Sequence, residues 1–323
     1  MSCQCAERIY ITFNYPLTVP GSETLLTGIR QDDNTLYITG FYKNPQAKIT
    51  SFVYTGTVAG TSISNLNNWH TLTYPSSVNT SLYGPSIISD KIIRAVGNYT
   101  VIDSTQALGC LYEGLLNGKG NWITIIPPSA LNTICHSTMG NLVVGNYDTM
   151  VIQGKAFIYD IKRKTYRDIV YPDSKSNTAY GIWKNSKHHY TICGGYDSKE
   201  NSTGISTAYV VDYNSTTHKF SNWASYTYNN DNSIITHFEG ISAAETSGYT
   251  LVADSVTKQG SIASFTHIKR DKYGKFRTNP VWEQISVPNQ KTTSGNSIAN
   301  TTVIGVSSND PDVLVSGYVS III

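Results

Sequence analysis

One stretch constrains this chain more than any other. Residues 177–197 read NTAYGIWKNSKHHYTICGGYD, and the pattern predicts two strands. The first covers residues 178–183, a polar turn covers 184–187, and the second covers 190–196. Its frame is a Thr or Asn, a Gly four residues later, and then an apolar run closing on Gly and an aromatic. The Thr-x-x-x-Gly frame recurs at Thr24 with Gly28, Thr80 with Gly84, Thr236 with Gly240 and Thr301 with Gly305. Degenerate copies place Thr133 with Ser137 and Asn177 with Gly181. The fifth positions stand between 44 and 65 residues apart. That spacing is too uneven for a solenoid, whose units must stack in constant register, and it suits repeated units with loops of different length.

Each unit carries more than two strands. Second strands read ITGFY (38–42), AVGNY (95–99), VVGNY (143–147), ICGGY (192–196), LVADS (251–255) and LVSGY (314–318). Third strands begin at Ser51, Gly109, Ala156, Ala208 and Ala263. Fourth strands run from Trp69, Trp122, Tyr166, Trp223 and Trp282, mostly toward a proline. Four short strands separated by Gly, Asn, Asp or Pro make an antiparallel meander. Proline suits the end of an outermost strand, where no ladder donor is lost. Several meanders in series predict a β-propeller.

The two ends of the chain complement each other. The opening segment RIYITFNYP reads as a fourth strand without a unit. The last unit offers first, second and third strands at residues 301–306, 313–318 and 320–323, and no fourth. Pairing them would close the ring and cover an apolar edge. We therefore expect an all-β chain forming one six-bladed propeller of four-stranded antiparallel blades over residues 1–323. Residues 1–7 are expected to be a disordered N-terminus.

On these strand patterns the chain resembles six-bladed propeller repeat proteins in general, over nearly its whole length. It carries no Gly-His/Trp-Asp pairing, no Ser-x-Asp-x-Gly-x-x-Trp box and, in most copies, no double glycine. The resemblance implies a fold and no activity.

Composition narrows the partners. Charged residues are 14% of the chain and the formal net charge is +2, so no strong field argues for nucleic acid or an anionic membrane. The basic runs at 162–164 and 269–275 fall at expected hairpin tips and read as solvated turns. No apolar stretch approaches the ~20 residues of a membrane span. No signal peptide is visible, which leads to the expectation of a cytoplasmic chain unless a leader has been removed. Of the five cysteines, Cys110, Cys135 and Cys193 lie in apolar strand patterns and read as small hydrophobes. Cys3 and Cys5 lack a second pair at zinc spacing, and no cofactor is expected.

Candidate functional residues follow from the repeat. Innermost propeller strands surround a channel, so the residue before the fifth frame position should sit at one depth around the axis. Those residues are Thr27, Tyr83, His136, Tyr180, Glu239 and Ile304, with His237 on the same face as Glu239. The frame is nearly constant while these positions vary, and several are Tyr, His or Glu, able to donate or accept protons. A simpler reading has them satisfying one another through ordered water. His136, His237 and Glu239 would make a sensible metal shell, but nothing sets their separation, so no metal is assigned and no catalytic role either.

The repeated aromatics Trp69, Trp122, Tyr166, Trp223 and Trp282 could stack sugars, although their regularity favours core between blades. The leading expectation is a monomeric binding module for a small polar molecule, a glycan or a protein, lectin-like in character. The alternative is an enzyme using the Tyr, His and Glu groups of the central funnel.

Overall fold

A computed structural model describes residues 8–199, 206–244, 248–257, 260–309 and 315–322. Residues 1–7 with Cys3 and Cys5, and positions 313, 314 and 323 of the expected last strands, lie outside the described residues. Twenty-four strands fall into six antiparallel sheets of four. The innermost strands are Glu23–Asp32, Asn79–Ser89, Asn132–Met139, Ser174–Lys184, Ile235–Ala243 and Thr292–Ala299, opening blades one to six in that order. Among the described residues no helix is long and apolar enough to cross a membrane.

Closure follows the expected route. Arg8–Thr12 is the outermost strand of blade six and pairs antiparallel with Ser316–Ile322, from Arg8 opposite Ile322 to Thr12 opposite Tyr318. The pairing continues one step as the Phe13 amide donates to the Gly317 carbonyl at 2.8 Å. Arg8 also reaches blade five, where it binds Glu283 at 2.9 Å.

The hydrophobic core is distributed. Six apolar clusters each straddle one seam between neighbouring blades. The seam between blades six and one holds Phe13, Phe52, Tyr54, Trp69, Ile304 and Val319. Alternation along each strand explains this: one face of a sheet meets the blade before it and the other meets the blade after it. Burying a Leu, Ile or Phe contributes ~1.5–3 kcal/mol, so every seam supplies its own share and the ring needs all six. Cys110, Cys135 and Cys193 are free and buried within these seams.

The frame threonine has a defined task. Where the chain leaves one blade for the next, a backbone N–H would be stranded, and the frame side chain accepts its hydrogen bond. Tyr15 donates to Thr24 Oγ1 at 3.1 Å, Tyr74 to Thr80 Oγ1 at 3.0 Å, Tyr228 to Thr236 Oγ1 at 3.0 Å, and Tyr171 to Asn177 Oδ1 at 2.9 Å. Blade three departs because Pro127 stands at the crossover and has no N–H to offer. The tyrosines before the prolines then stack on the tyrosines ending the next second strand. Tyr15 lies on Tyr42 (4.4 Å, 8°), Tyr74 on Tyr99 (3.6 Å, 4°) and Tyr171 on Tyr196 (3.7 Å, 9°).

Blade six corrects the expected register. Its innermost strand is Thr292–Ala299, and the crossover bond runs from the Val287 amide to Thr293 Oγ1 at 3.2 Å. Thr301 and Gly305 belong instead to the hairpin turn and second strand, Thr302–Ser308. The third strand is Ser316–Ile322, so the residues expected as separate second and third strands form one. In a chain rich in Thr and Gly the five-residue frame also arises by accident, and the true copy is masked by Ser297 at its fifth position. The basic run near 270 is corrected as well. Arg270 folds back onto Asp212, with contacts of 2.6 and 2.8 Å, and is not a solvated turn residue.

Candidate functional site

Every innermost strand carries a β-bulge at the same level. Register shifts between Leu26 and Gly28, Leu82 and Pro85, Cys135 and Ser137, Ala179 and Gly181, Phe238 and Gly240, and Gly295 and Ser297. The residues left without a ladder partner are Thr27, Tyr83 (with Gly84), His136, Tyr180, Glu239 and Asn296. A bulge re-aims its extra side chain away from the pleat, and here all six turn toward the axis. Together with Leu25 and Phe41 they line a cavity of about 170 Å³.

Below this ring the strands approach closely. A Cβ on Gly84 would lie 2.6 Å from the Ser137 Cα, and one on Gly240 would lie 2.7 Å from the Ser297 Cα. The fifth frame position therefore accepts only Gly where its neighbour is larger, and Ser where its neighbour is Gly. The passage there narrows to about 10 Å³.

An aromatic wall runs round one side of the cavity. Ring centroids of Tyr83 and His136 are 5.1 Å apart at 69°, and those of His136 and Tyr180 are 4.5 Å apart at 73°. Phe41 meets Tyr83 at 6.4 Å, and Tyr180 meets His237 at 6.1 Å. The opposite side is polar and partly committed to structure. Thr27 Oγ1 donates to the Leu82 carbonyl at 2.6 Å, and Asn296 Nδ2 donates to the Leu26 carbonyl at 2.7 Å, each bond crossing a seam. Tyr83 and Glu239 donate no side-chain hydrogen bond to the protein among the described residues, and the buried His136 Nε2 has no partner.

Burial sets the charge state of the ring. Glu239 walls the cavity yet is enclosed by protein, and this, with the nearby charge of Asp254, holds its carboxyl well above the usual range. Burial raises Asp254 to about 6, opposed by hydrogen bonds from the Ser294 hydroxyl and the Gly295 amide. It pushes the His136 imidazole down to about 4, partly offset by the Asn146 side chain. Tyr83 rises to about 12 through burial, and Tyr180 rises through burial and then the Glu239 charge. Burial thus disfavours the charged form of every titratable group in the ring, and near neutral pH His136 is a neutral imidazole.

Five of the six expected ring positions lie where the repeat placed them: Thr27, Tyr83, His136, Tyr180 and Glu239 line one cavity. Ile304 does not. It pairs with Ser297 on the second strand of blade six and is wholly buried in a seam; Asn296 holds the sixth place. His237 sits one step nearer the mouth, packed over Gly195 of blade four, and the charge of Asp197 partly counters the lowering of its pKa by burial. Among the described residues no three His, Cys, Asp or Glu side chains converge as a metal site.

The expectation missed a second tier. Asn98, Asn146 and Asp254 occupy equivalent positions on second strands, each one residue after a Gly or Ala. Among the described residues each has a buried Oδ1 outside hydrogen-bond geometry, Asn146 lying near enough to His136 to counter part of the lowering of its pKa. The signal was present in the variable residue between Gly and Tyr of AVGNY and VVGNY, and in the Asp of LVADS. The repeated indoles are seam core. Trp69 is 7% exposed and packs among Phe13, Tyr15, Phe52 and Tyr54. Trp122, Trp223 and Trp282 each pack edge-on or tilted against tyrosines of their own seams.

No protein-family model and no curated protein matches this chain. Among solved structures it is similar to a protein of unknown function from Dyadobacter fermentans, at 10% identity and a TM-score of 0.63, covering 99% of each chain. It is also similar to a luciferin-regenerating enzyme, at 12% identity and a TM-score of 0.52, covering 98% of this chain and 95% of that one. A third is AofleA from Arthrobotrys oligospora, at 9% identity and a TM-score of 0.51, covering 98% of this chain and 86% of that one. At these identities the likeness establishes the β-propeller fold, and the chemistry has to be argued from the residues.

Proposed function

We propose that this propeller binds a small, uncharged, hydroxyl-rich ligand, such as a sugar ring, in the funnel formed by the six bulges. One observation carries the reading: Tyr83, His136, Tyr180 and Glu239 converge from four blades on one cavity, where burial disfavours the charged form of each. Neutral donors and acceptors suit hydroxyl groups, because an ionic site would have to desolvate charge on binding. Phe41 and the tyrosine rings supply the apolar face that a sugar's C–H groups prefer. Titration calorimetry against a panel of monosaccharides and polyols should give one site per chain, with Tyr83→Phe and Glu239→Ala each weakening it. A panel without a binder, or a binder indifferent to both changes, rejects the reading.

A second reading has one specific observation behind it. Burial and the charge of Asp254 raise the Glu239 pKa well above the usual range while Asp254 itself rises only to about 6, and two carboxyl groups driven apart in this way can act as acid and base. On this reading the same ligand is turned over. Glu239→Gln would then abolish turnover while leaving ligand affinity nearly intact, and activity would fall below about pH 6 as Asp254 takes up a proton. Equal loss of binding and turnover would argue against it.

A further inference from the structure

The face opposite the funnel holds a larger cavity of about 430 Å³, ringed by the far ends of the innermost strands. Its floor is Arg30, only 7% exposed. The guanidinium crosses the axis: Nη2 donates to Ser137 Oγ at 3.2 Å in blade three and to the Ile182 carbonyl at 3.1 Å in blade four. Nη1 donates to the Ile29 carbonyl at 3.0 Å, and the Trp183 ring lies 5.9 Å away. Every one of these partners is neutral. Among the described residues the buried Nε has no hydrogen-bond partner.

No ion pair among the described residues includes Arg30. Asp32 lines the same cavity and Glu239 shares the narrow waist, and neither forms an ion pair with Arg30. Burial lowers the Arg30 pKa only to about 10, so the charge persists at neutral pH. A buried cation without a counter-ion is costly, and proteins retain one where an anion completes it. Lys184 lies along Gly140 and adds a second positively charged residue to the cavity lining. The waist leaves room for no more than a water molecule, which makes this a site separate from the funnel.

We propose that the lower cavity binds the anionic group of a small molecule, a carboxylate or a phosphate, with Arg30 as its floor and Lys184 in its lining. Three of the five guanidinium N–H groups are committed to Ile29, Ser137 and Ile182 and Nε is enclosed, so Arg30 would offer the anion its positive charge and one remaining Nη1 hydrogen, beside the Trp183 ring. The proposal does not depend on what the funnel binds.

The probes are inorganic phosphate and malonate, followed by thermal unfolding at constant ionic strength against a sodium chloride background. Either anion should raise Tm progressively in the wild-type protein. Arg30→Gln should remove that rise without lowering the baseline Tm, since it deletes an uncompensated charge. Because Arg30 is buried, Lys184→Glu provides an exposed second variant; a carboxylate in the lining should weaken phosphate binding by about tenfold or more, the scale of one charge-assisted contact. A Tm that follows ionic strength alone, or a full anion response in either cavity variant, overturns the proposal.

Discussion

The imidazole of His136 stands almost upright on the ring of Tyr180, 4.5 Å between centroids and 73° between planes, although the two come from different blades. Both are bulge residues, and both owe the contact to an interruption in the ladder of their own sheet. The funnel is built from six such interruptions. Its chemistry can therefore be changed without disturbing strand pairing, and four predictions follow from this and from the seams.

His136 should stay neutral through the physiological range. Its folded pKa is about 4, against about 6.5 for the unfolded chain. The stabilisation is complete above about pH 6.5 and is lost as pH falls toward 4, because only the unfolded chain takes up the proton. Its ring-proton NMR shifts should remain flat down to about pH 5. In urea unfolding, the stability difference between wild type and His136→Gln should shrink over the same window. A midpoint near 6.5 would refute the buried, neutral imidazole.

Glu239 should show the opposite slope. Its folded pKa is raised, so the group costs nothing below about pH 4.3, where both states are protonated. As pH rises further the unfolded chain ionises first and stability is lost. Glu239→Gln, which copies the protonated form, should gain stability relative to wild type as pH rises above about 4.3. Parallel pH profiles for the two proteins would mean that the carboxyl is ionised when folded.

The frame threonines should differ by blade. Thr236→Val strands the buried Tyr228 amide that now donates to Thr236 Oγ1 and should cost ~1–3 kcal/mol. Thr133→Val belongs to the blade whose crossover residue is Pro127, which has no N–H to strand, and should cost no more than ~0.5 kcal/mol. Equal losses in chemical denaturation would contradict the crossover role.

Ring closure should be sensitive at Phe13. The side chain is wholly buried between blades six and one and meets Tyr54 and Trp69 at 4.9 and 5.3 Å. Phe13→Ala should cost ~3–5 kcal/mol, the range for deleting a large core aromatic. Removing residues 1–16 should expose the edge of Ser316–Ile322 and promote association, measurable by light scattering. A truncated chain that stays monomeric with an unchanged Tm would show that the closing strand is dispensable.

Local sequence by itself determined the strand period, the blade count, the antiparallel order and the identity of the closing strand. Each of these depends on alternation, turn residues and proline placement within some ten residues. It also located Thr27, Tyr83, His136, Tyr180 and Glu239, because a repeat places equivalent residues at equivalent depth. Tertiary structure decided the rest. Ile304 and Asn296 could be separated only by the crossover bond to Thr293 and the cross-seam bond from Asn296 to Leu26, contacts that no five-residue frame encodes. That Asn98, Asn146 and Asp254 have buried oxygens outside hydrogen-bond geometry among the described residues, and that Arg30 meets Ser137 and Ile182 from two other blades without a counter-ion, depends on which strands lie beside one another around the axis. Burial and pKa are properties of that enclosure, and they arise only when the ring is closed.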